Sequence, residues 1–162
     1  MLPSPSEVTL EVITAQTVMA VIELDVSPAQ QACVASNAVS LAEAQFNPGA
    51  WFRAVYSGGF PVGFVMLFDP TIPGAMATDP VEPTDIVLWR LMIDRRYQGR
   101  GLGRATLDLV RKHIAGLGGF RRLVTSYVPG PDEAEPFYRA YGFTKTGRLW
   151  DQGTEIEIAL PL

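Results

Sequence analysis

The sequence predicts one mixed α/β domain, with a central sheet of about six to seven strands flanked by about four helices. A nearly continuous apolar segment, residues 86–93, is typical of a central strand that helices cover on both faces. A glycine-rich turn, a helical repeat over residues 102–117 and an apolar segment over residues 123–127 follow it, so a parallel βαβ unit is expected. Alternating segments before and after this unit favour antiparallel strands on both sides. With 162 residues, the chain is long enough for one domain with a sizeable core.

The first part of the chain predicts one strand and two helices behind a loose tail, residues 1–6. Residues 8–12 alternate and are rich in strand-forming side chains. Residues 14–24 carry apolar residues at helical spacing. A second helix is expected over residues 27–45, because serine and proline are preferred at its first two positions.

This second helix allows two interpretations, because it is rich in small polar residues. It is either an alanine-rich surface helix or a helix that faces a substrate cleft, where small side chains leave room and a carboxylate meets a cation. On the second interpretation, the candidate substrate-binding residues are Asn37, Ser40 and Glu43, together with Trp89 of the central strand.

A hairpin and a long loop come before the central strand. Residues 51–56 and 61–68 are apolar runs joined by Ser-Gly-Gly-Phe, which is typical of an antiparallel hairpin. Residues 69–84 contain four prolines and no periodicity, which predicts a surface loop. Loops of this length are uncommon in compact domains. This one is either a lid or rim of a substrate site or a tolerated insertion.

Strict alternation along the central strand assigns its side chains to two faces. One face would carry Val87, Trp89, Leu91 and Ile93, and the other Ile86, Leu88, Arg90 and Met92. Arg90 is conspicuous, because a buried guanidinium is costly without an anion. It is expected to form a structural salt bridge or to contact a ligand directly.

The helix over residues 102–117 is amphipathic. Its expected packing stripe consists of Leu102, Thr106, Leu109, Val110, His113 and Leu117. His113 therefore has an expected packing or capping role rather than a catalytic one.

The last part of the chain predicts a helix and two strands. Residues 129–131 form a proline-glycine turn, and the acidic residues 132–133 would open a helix that ends at Gly142. Residues 143–146 and 155–160 alternate, which predicts two final antiparallel strands.

The turn after the central strand has the composition of an anion site. Gly99, Gly101 and Gly103 let the main chain turn sharply and approach a ligand closely. The N–H groups and the dipole at the start of the next helix suit a phosphate, and Arg100 and Arg104 add forked donors. The spacing fits neither the Rossmann fingerprint nor a P-loop. The alternative is a tight turn with solvated arginines.

Two motifs resemble the GNAT superfamily of acyl-CoA-dependent N-acyltransferases. Residues 98–103, Gln-Gly-Arg-Gly-Leu-Gly, are similar to its pyrophosphate loop, Q/R-x-x-G-x-G/A. Residues 134–143, Ala-x-x-Phe-Tyr-x-x-x-Gly-Phe, resemble its A-x-x-hydrophobic-Y-x-x-x-G-F signature. The order of the elements also matches over nearly the whole chain. The resemblance therefore implies a GNAT-like fold, with a sheet that splays open at its middle.

The resemblance also implies an activity. Three segments look like the bacterial polyamine acetyltransferase branch, namely residues 36–41, 88–94 and 126–129. The implied reaction moves an acetyl group from acetyl-CoA to a primary amine of a small molecule, polyamine-like as a first guess, by direct attack in a ternary complex. The alternative is a non-catalytic acyl-CoA-binding sensor or interaction module.

Roles for individual residues follow from the same resemblance. The N–H groups of residues 99–104 would hold the pyrophosphate, and the main chain of Met92 and Ile93 would pair with the pantetheine arm. N–H groups of residues 91–93 would stabilise negative charge on the thioester oxygen, and Tyr138 would protonate the departing thiolate. The cofactor-binding residues implied are Leu91, Met92, Ile93, Gln98, Gly99, Arg100, Gly101, Leu102, Gly103, Arg104 and Phe137.

Two parts of the expected site are missing from the pattern. Pro131 stands where the family often has an asparagine that bonds the pantetheine arm. Loss of one neutral hydrogen bond costs about 0.5–1.5 kcal/mol, too little to abolish binding. The general base is not evident, and a water chain is preferred over one side chain. The carboxylates considered for it are Glu23, Glu43, Glu82 and Asp85.

Composition restricts the class of protein. A net charge of −4 with 48% hydrophobic and 19% charged residues is typical of a soluble globular protein and not of a nucleic-acid binder. One cysteine, Cys33, and one histidine exclude an internal disulfide and disfavour a metal site. No apolar run reaches the ~20 residues of a membrane span, and the N-terminus does not resemble a signal peptide. We expect a cytoplasmic protein without a membrane partner. For its oligomeric state, a homodimer is the base-rate expectation.

Overall fold

The predicted mixed α/β class is confirmed by a computed structural model, which describes residues 4–131 and 134–162. The strands are β1 (Val8–Glu11), β2 (Ala50–Ser57), β3 (Phe60–Phe68), β4 (Asp85–Ile93), β5 (Arg122–Tyr127), β6 (Thr144–Trp150) and β7 (Glu155–Pro161). The helices are α1 (Val18–Ile22), α2 (Asn37–Gln45), α3 (Leu102–Leu117) and α4 (Glu135–Tyr141). These strands form one sheet in the order β1-β2-β3-β4-β5-β7-β6.

The predicted βαβ unit lies at the centre of this sheet. Strands β4 and β5 pair in parallel, and the other neighbouring strands pair antiparallel. The hairpin of β2 and β3 is confirmed, and its turn residues Gly58 and Gly59 have φ angles of 58° and 82°. Left-handed angles at both positions are typical of a type I′ turn, which matches the twist of the flanking strands.

Strands β4 and β5 pair over a short distance and then separate. The parallel ladder joins residues 85–87 to residues 122–124. At the end of the ladder, the Thr125 hydroxyl donates a hydrogen bond of 2.8 Å to the Leu88 carbonyl oxygen. Beyond this point the remainder of β4 is paired with β3 alone among the described strands. A wedge-shaped gap therefore opens in the middle of the sheet, as the family resemblance implied.

A β-bulge in β4 makes the predicted assignment of its faces wrong. Met66 of β3 pairs with Arg90, but the next residue of β3 pairs with Leu88, so Trp89 is an extra residue in the ladder. An extra residue shifts the alternation of the side chains by one position. As a result, Leu88 packs in the same core as Leu91 and not on the opposite face.

The two faces of the sheet are covered by different helices. Leu107 of α3 and Tyr138 of α4 pack with Leu123 of β5 on one face. Val21 of α1 packs with Phe64 of β3 on the other face, together with part of α2.

The packing stripe of α3 differs in part from the prediction. Leu107 and Ile114 are buried, whereas Leu117 is 51% exposed and Leu109 is half-buried. The buried residues of α3 are Leu102, Thr106, Leu107, Val110 and Ile114. His113 does pack, as predicted, because its ring stacks on Trp51 with centroids 4.1 Å apart.

The predicted helices before β2 are too long. The first is confined to α1, and residues 27–45 form two separate pieces. The piece at Pro28–Gln30 is a single 3-10 turn. The Ser27 N–H donates a hydrogen bond to the Gln30 side chain, as in a helix cap. A new helix, α2, starts after Ser36, whose Oγ accepts a hydrogen bond of 3.3 Å from the Val39 N–H. A serine side chain can accept a hydrogen bond from an N–H group at the start of a helix. Ser36 does so, and α2 therefore begins as a new helix and does not continue the turn at Pro28–Gln30.

Residues 4–6 of the predicted tail lie against the sheet. The Ser4 N–H donates to Ser57 Oγ at 2.9 Å, and the Ser57 hydroxyl donates to the Ser4 carbonyl at 3.0 Å. Residues 1–3 lie outside the described residues, as do residues 132–133, the predicted acidic start of α4. The end of α4 at Gly142 is confirmed, with a φ angle of 125°.

Candidate active site

A cleft of about 1520 Å³ passes through the gap between β4 and β5. On the α3 side its wall includes Gly99, Gly103 and Tyr138. On the α2 side its wall includes Glu43 and the loop of residues 69–84. A cleft that crosses the sheet gives two molecules access to one meeting point from opposite faces.

The glycine-rich turn forms the first wall of this cleft. Gly99 and Gly101 have φ angles of 72° and 77°, a conformation that other residues rarely adopt. The first helical hydrogen bond of α3 runs from the Ala105 N–H to the Gly101 carbonyl at 3.0 Å. The N–H groups before Ala105 therefore have no helical partner and are suited to an anion.

Gly103 allows α3 and α4 to pack closely at this wall. A β-carbon at Gly103 would lie 3.1 Å from two ring atoms of Phe137. Phe137 and Arg104 both line the cleft, whereas Arg100 does not. Arg100 instead donates to the Arg96 carbonyl at 3.3 Å. The structure therefore brings together all the predicted residues of the turn except Arg100.

A buried carboxylate holds the turn from behind. Asp94 is 2% exposed, and its Oδ1 accepts from the Arg96 main chain at 2.9 Å and side chain at 2.7 Å. Its Oδ2 accepts from the Asp25 N–H at 3.0 Å. Burial would raise the pKa of Asp94, but these hydrogen bonds and the Arg96 charge outweigh burial and lower it. The turn thus starts from a fixed, ionised anchor.

The open edge of β4 forms the floor of the cleft. The Asp94 N–H donates to the Val62 carbonyl at 2.8 Å, so the main chain of Asp94 faces β3. Main-chain groups alternate in direction along a strand, so those of the residue before Asp94 face away from β3. Leu91 and Ile93 are the residues whose main chain faces the gap. The Ile93 carbonyl accepts from Gln98 Nε2 at 2.9 Å there. Met92 was predicted to offer its main chain to a ligand, but its carbonyl lies against Gly63 of β3.

Tyr138 lies between the aromatic rings of Phe137 and Phe143, at centroid distances of 5.1 and 5.2 Å. It is buried in the core and also contributes to the cleft wall. Burial raises the pKa of Tyr138 far above its usual value. Its phenol therefore stays protonated at neutral pH, so Tyr138 is not a base in the resting enzyme.

The opposite wall contains an ion pair. Arg90 Nη2 donates to Glu43 Oε2 at 3.1 Å, and Nη1 donates to the Trp89 carbonyl at 2.9 Å. The Arg90 side chain is 21% exposed, and its Nε is buried with no hydrogen-bond partner among the described residues. Burial lowers the pKa of Arg90, and the charges of Glu43 and Glu155 oppose that shift. Of the two interpretations of Arg90, the structural salt bridge is confirmed.

Two of the predicted substrate-binding residues face away from the cleft. Asn37 is 2% exposed and donates to the Val21 carbonyl at 2.8 Å. Ser40 is fully buried and donates to the Ser36 carbonyl at 3.1 Å. Neither residue lines the cleft, so neither belongs to the site. Glu43 and Trp89 do line it.

The loop of residues 69–84 forms the rim of this wall. Asn47 Nδ2 donates to the Met76 carbonyl at 2.9 Å, which ties the loop to the end of α2. Asp79 Oδ1 accepts from the Asp151 N–H at 3.1 Å, which ties it to the turn between β6 and β7. The geometry favours the interpretation of this loop as a rim of a substrate site.

Several residues of this wall were not singled out by the sequence. Ser126 on β5, Trp150 on β6 and Glu155 on β7 line the cleft. Their strands were predicted, but the pairing of β5 with β7 was not, and that pairing brings Ser126 and Glu155 into hydrogen-bond contact. The one available signal was a pair of glutamates on an otherwise apolar final strand.

The cleft thus has two chemically different sides. The glycine side consists of the turn over residues 98–104 and the open edge of β4. The carboxylate side consists of Glu43, Asp79, Asp151 and Glu155, with Arg90 as a counter-charge. No helix in residues 4–131 or 134–162 has the length and apolar character needed to cross a membrane.

Comparisons with known proteins agree with this geometry. Spermine/spermidine N(1)-acetyltransferase of Bacillus subtilis (strain 168) is 27% identical over 155 residues, which cover 93% of this chain and 97% of that protein. The crystal structure of an acetyltransferase from Thermus thermophilus superposes with a TM-score of 0.70 at 26% identity, covering 96% of this chain and 97% of the other. The PaiA N-acetyltransferase of Thermoplasma acidophilum, in complex with coenzyme A, has the same fold, with a TM-score of 0.65 at 15% identity over 96% of this chain and 99% of the other. Residues 18–143 match the model of the acetyltransferase (GNAT) family, and the chain belongs to that family of N-acetyltransferases.

Proposed function

We propose that this N-acetyltransferase transfers an acetyl group from acetyl-CoA to a primary amine of a small polycationic molecule, with a polyamine as the first candidate. The observation that carries the proposal is one cleft with a phosphate-type site on one side and an excess of carboxylates on the other. The two sides meet at the gap between β4 and β5, which two substrates would enter from opposite faces.

The residues of the glycine side fit acetyl-CoA. Apart from its chain neighbours, Gly99 has no protein atom within 4 Å of the position that a β-carbon would occupy, so a phosphate can approach the main chain there. The N–H groups from Gly99 to Arg104 would bind the pyrophosphate, together with the dipole of α3. The C=O groups of Leu91 and Ile93 would accept hydrogen bonds from the amides of the pantetheine arm. When bound, acetyl-CoA supplies an acetyl group activated as a thioester.

The chemistry expected of the protein is modest. The N–H groups of Leu91 and Ile93 face the gap, where they would stabilise negative charge that develops on the thioester oxygen. Tyr138, kept protonated by burial, would give its proton to the departing thiolate.

The carboxylate side supports a cationic acceptor. Four carboxylates line it against one guanidinium, that of Arg90. Apolar side chains lie between the carboxylates, and a chain of methylene groups between ammonium groups has the same alternation of apolar and charged parts. The apolar residues on this side include Phe46, Met76, Trp89 and Trp150. The activity named for the Bacillus relative, on spermine and spermidine, supports the same class of acceptor.

A second candidate function is a non-catalytic acyl-CoA-binding module. Pro131 favours it, because proline offers neither the side-chain amide that the family often has there nor a main-chain N–H. The tyrosine at position 138, to which the family resemblance assigns protonation of the thiolate, speaks against it.

The test is release of free thiol from acetyl-CoA with a panel of amines. We expect thiol release with spermidine and spermine to exceed that with aminoglycosides and with peptide N-termini. Thiol release with none of the amines, combined with tight binding of acetyl-CoA by calorimetry, would instead establish the binding module. Preference for an aminoglycoside or a peptide would refute the polyamine assignment but keep the acetyltransferase.

A further inference from the structure

One carboxylate of the cleft stands apart from the others. Glu155 is the first residue of β7, and its Oε2 accepts a short hydrogen bond from the Ser126 hydroxyl on β5. Both residues line the cleft. Glu155 also lies near enough to Arg90 for its charge to raise the pKa of that guanidinium. Arg90 directly precedes Leu91, the first residue of β4 whose main chain faces the gap, and Glu155 lines the same cleft as both of these residues.

Three carboxylates that the sequence offered as bases lie outside the cleft walls. Asp85 is 2% exposed and is bound by Arg122 through hydrogen bonds of 2.9 and 2.5 Å. Glu82 pairs with Arg148 at 3.7 Å on the surface. Glu23 follows α1 and is exposed. None of the three is placed to meet a substrate in the cleft.

The other carboxylates of the cleft have competing partners. Glu43 forms an ion pair with Arg90, so one of its carboxylate oxygens already accepts a hydrogen bond from the guanidinium. Asp79 accepts the main-chain N–H of Asp151, and the Asp151 carboxylate accepts from the Thr154 hydroxyl, both in exposed turns at the rim. Glu155 is instead half-buried at the start of a strand, whereas Asp151 is exposed, and the Glu155 carboxylate accepts a hydrogen bond from the Ser126 hydroxyl.

Resting on the acetyl transfer proposed above, we propose that Glu155 is the general base of this enzyme and removes a proton from the substrate ammonium. The N–H bond breaks, its electron pair stays on nitrogen, and the proton passes to a carboxylate oxygen of Glu155 and from there to water in the open cleft. The neutral amine then has the lone pair that attack on the acetyl carbon requires. Ser126 is a positioning residue, because its hydroxyl fixes the orientation of the carboxylate.

The charged groups around Glu155 come from several elements. Arg90 on β4 and its partner Glu43 on α2 lie on the facing wall. Asp151 precedes Glu155 in the turn from β6, and Glu157 follows on the same strand. Glu157 is buried and accepts hydrogen bonds from Thr146 at 2.7 Å and Trp150 at 2.6 Å, so it belongs to the framework and not to the reaction.

The test compares Glu155→Gln with Glu155→Asp and with Glu11→Gln, a matched loss of an exposed carboxylate on β1, outside the cleft. The kcat for spermidine is measured by thiol release across about pH 6 to 9.5, a range that reaches the ionisation of alkylamines. We expect Glu155→Gln to lower kcat about 10²-fold at neutral pH, with activity rising about tenfold per pH unit as the free amine becomes available. Glu155→Asp should recover part of the rate, and Glu11→Gln should match the wild type. The affinity for acetyl-CoA and the Tm should be those of the wild type in all three variants.

Several outcomes would overturn the assignment. A Glu155→Gln enzyme within threefold of the wild type would exclude a base role, and so would a loss by the same factor at every pH. A rise in KM at unchanged kcat would make Glu155 a binding residue only. Absence of thiol release by the wild-type enzyme itself would remove the proposed function, and the base role of Glu155 with it. That result is distinguishable from a failure of Glu155 alone, because it needs no variant.

Discussion

The two sides of the cleft are built in different ways. The glycine side comes from one continuous stretch, residues 91–104, and offers mainly main-chain groups. The carboxylate side is assembled from α2, the loop of residues 69–84, β5 and the turn before β7, and offers side chains. The difference corresponds to the two ligands. On the proposed function, main-chain groups would bind the cosubstrate that the family shares, whereas side chains, which can vary, would bind the acceptor.

The two sides also differ in how firmly they are held. The glycine side is anchored by the buried Asp94 and packed on Phe137. The carboxylate side includes Phe46, which is 80% exposed, and Met76, which is 64% exposed. Large apolar side chains that are exposed at a cleft are suited to contact a ligand. We therefore expect the glycine side to tolerate few changes and the carboxylate side to tolerate many.

The largest expected effect is that of Tyr138→Phe, at the point where both sides meet. The variant lacks the hydroxyl that protonates the thiolate, so we expect kcat to fall about 10²-fold. The dissociation constant for acetyl-CoA, measured by calorimetry, should change less than threefold, since the ring still packs. Wild-type turnover in this variant would contradict the role of Tyr138 as the proton donor at the place where the two sides of the cleft meet.

A smaller effect is expected from the ion pair of the carboxylate side. Glu43→Gln leaves the buried Arg90 without its counter-charge, so we expect a loss of about 1 kcal/mol in the free energy of unfolding, kept modest because Glu43 is 41% exposed. The double variant Glu43→Gln/Arg90→Met removes both charges and should recover most of that loss. Urea unfolding of the wild type, the two single variants and the double variant measures the coupling. Additive losses would mean that the pair does not stabilise the fold.

The tight packing of the glycine side is tested by two glycines of the same helix. Gly103→Ala places a methyl group 3.1 Å from the Phe137 ring, so we expect the dissociation constant for acetyl-CoA to rise about threefold. Gly116→Ala is the matched control, because nothing lies within 4 Å of the added carbon. The control should gain about 0.5–1 kcal/mol of stability and bind acetyl-CoA normally. Equal binding by both variants would show that the glycine side is less constrained than the structure indicates.

The smallest effect is expected outside the cleft, at His113. Burial and the charge of Arg53 lower the pKa of His113 below the usual ~6.5, so the fold favours the neutral ring. The stability it contributes is present above that usual value and is lost as the pH falls through the lowered pKa of the folded state. In His113→Gln, thermal unfolding at pH 5 and pH 8 should therefore differ less than in the wild type. A wild-type pH response in the variant would assign that response to the carboxylates instead.

Much of the glycine side could be predicted because its information is local. The strand, the turn and α3 are consecutive, so residues 98–104 necessarily lie at the start of a helix that follows a buried strand. Arg100 is the exception, because the side chain of a turn residue can point to either side and the sequence does not say which. Met92 is a similar case, since the direction of its carbonyl depends on its pairing with β3 and on the bulge at Trp89.

The carboxylate side was predicted poorly for a related reason. Asn37 and Ser40 were assigned to a cleft by residue type, but the helix starts after Ser36 and turns both of them inward. Glu155 received no role, because its contact with Ser126 spans 29 residues and depends on the antiparallel pairing of β5 with β7.

The sequence by itself determined the fold class, the family motifs, the anion-binding turn and Tyr138, because each depends on residues that are close along the chain. The tertiary structure alone decided the bulge in β4, the pairing of β5 with β7 and the set of side chains on the carboxylate side. These features depend on which strands pair and in what register. Strand pairing is set by contacts between residues that are distant along the chain, and periodicity within one segment does not encode them.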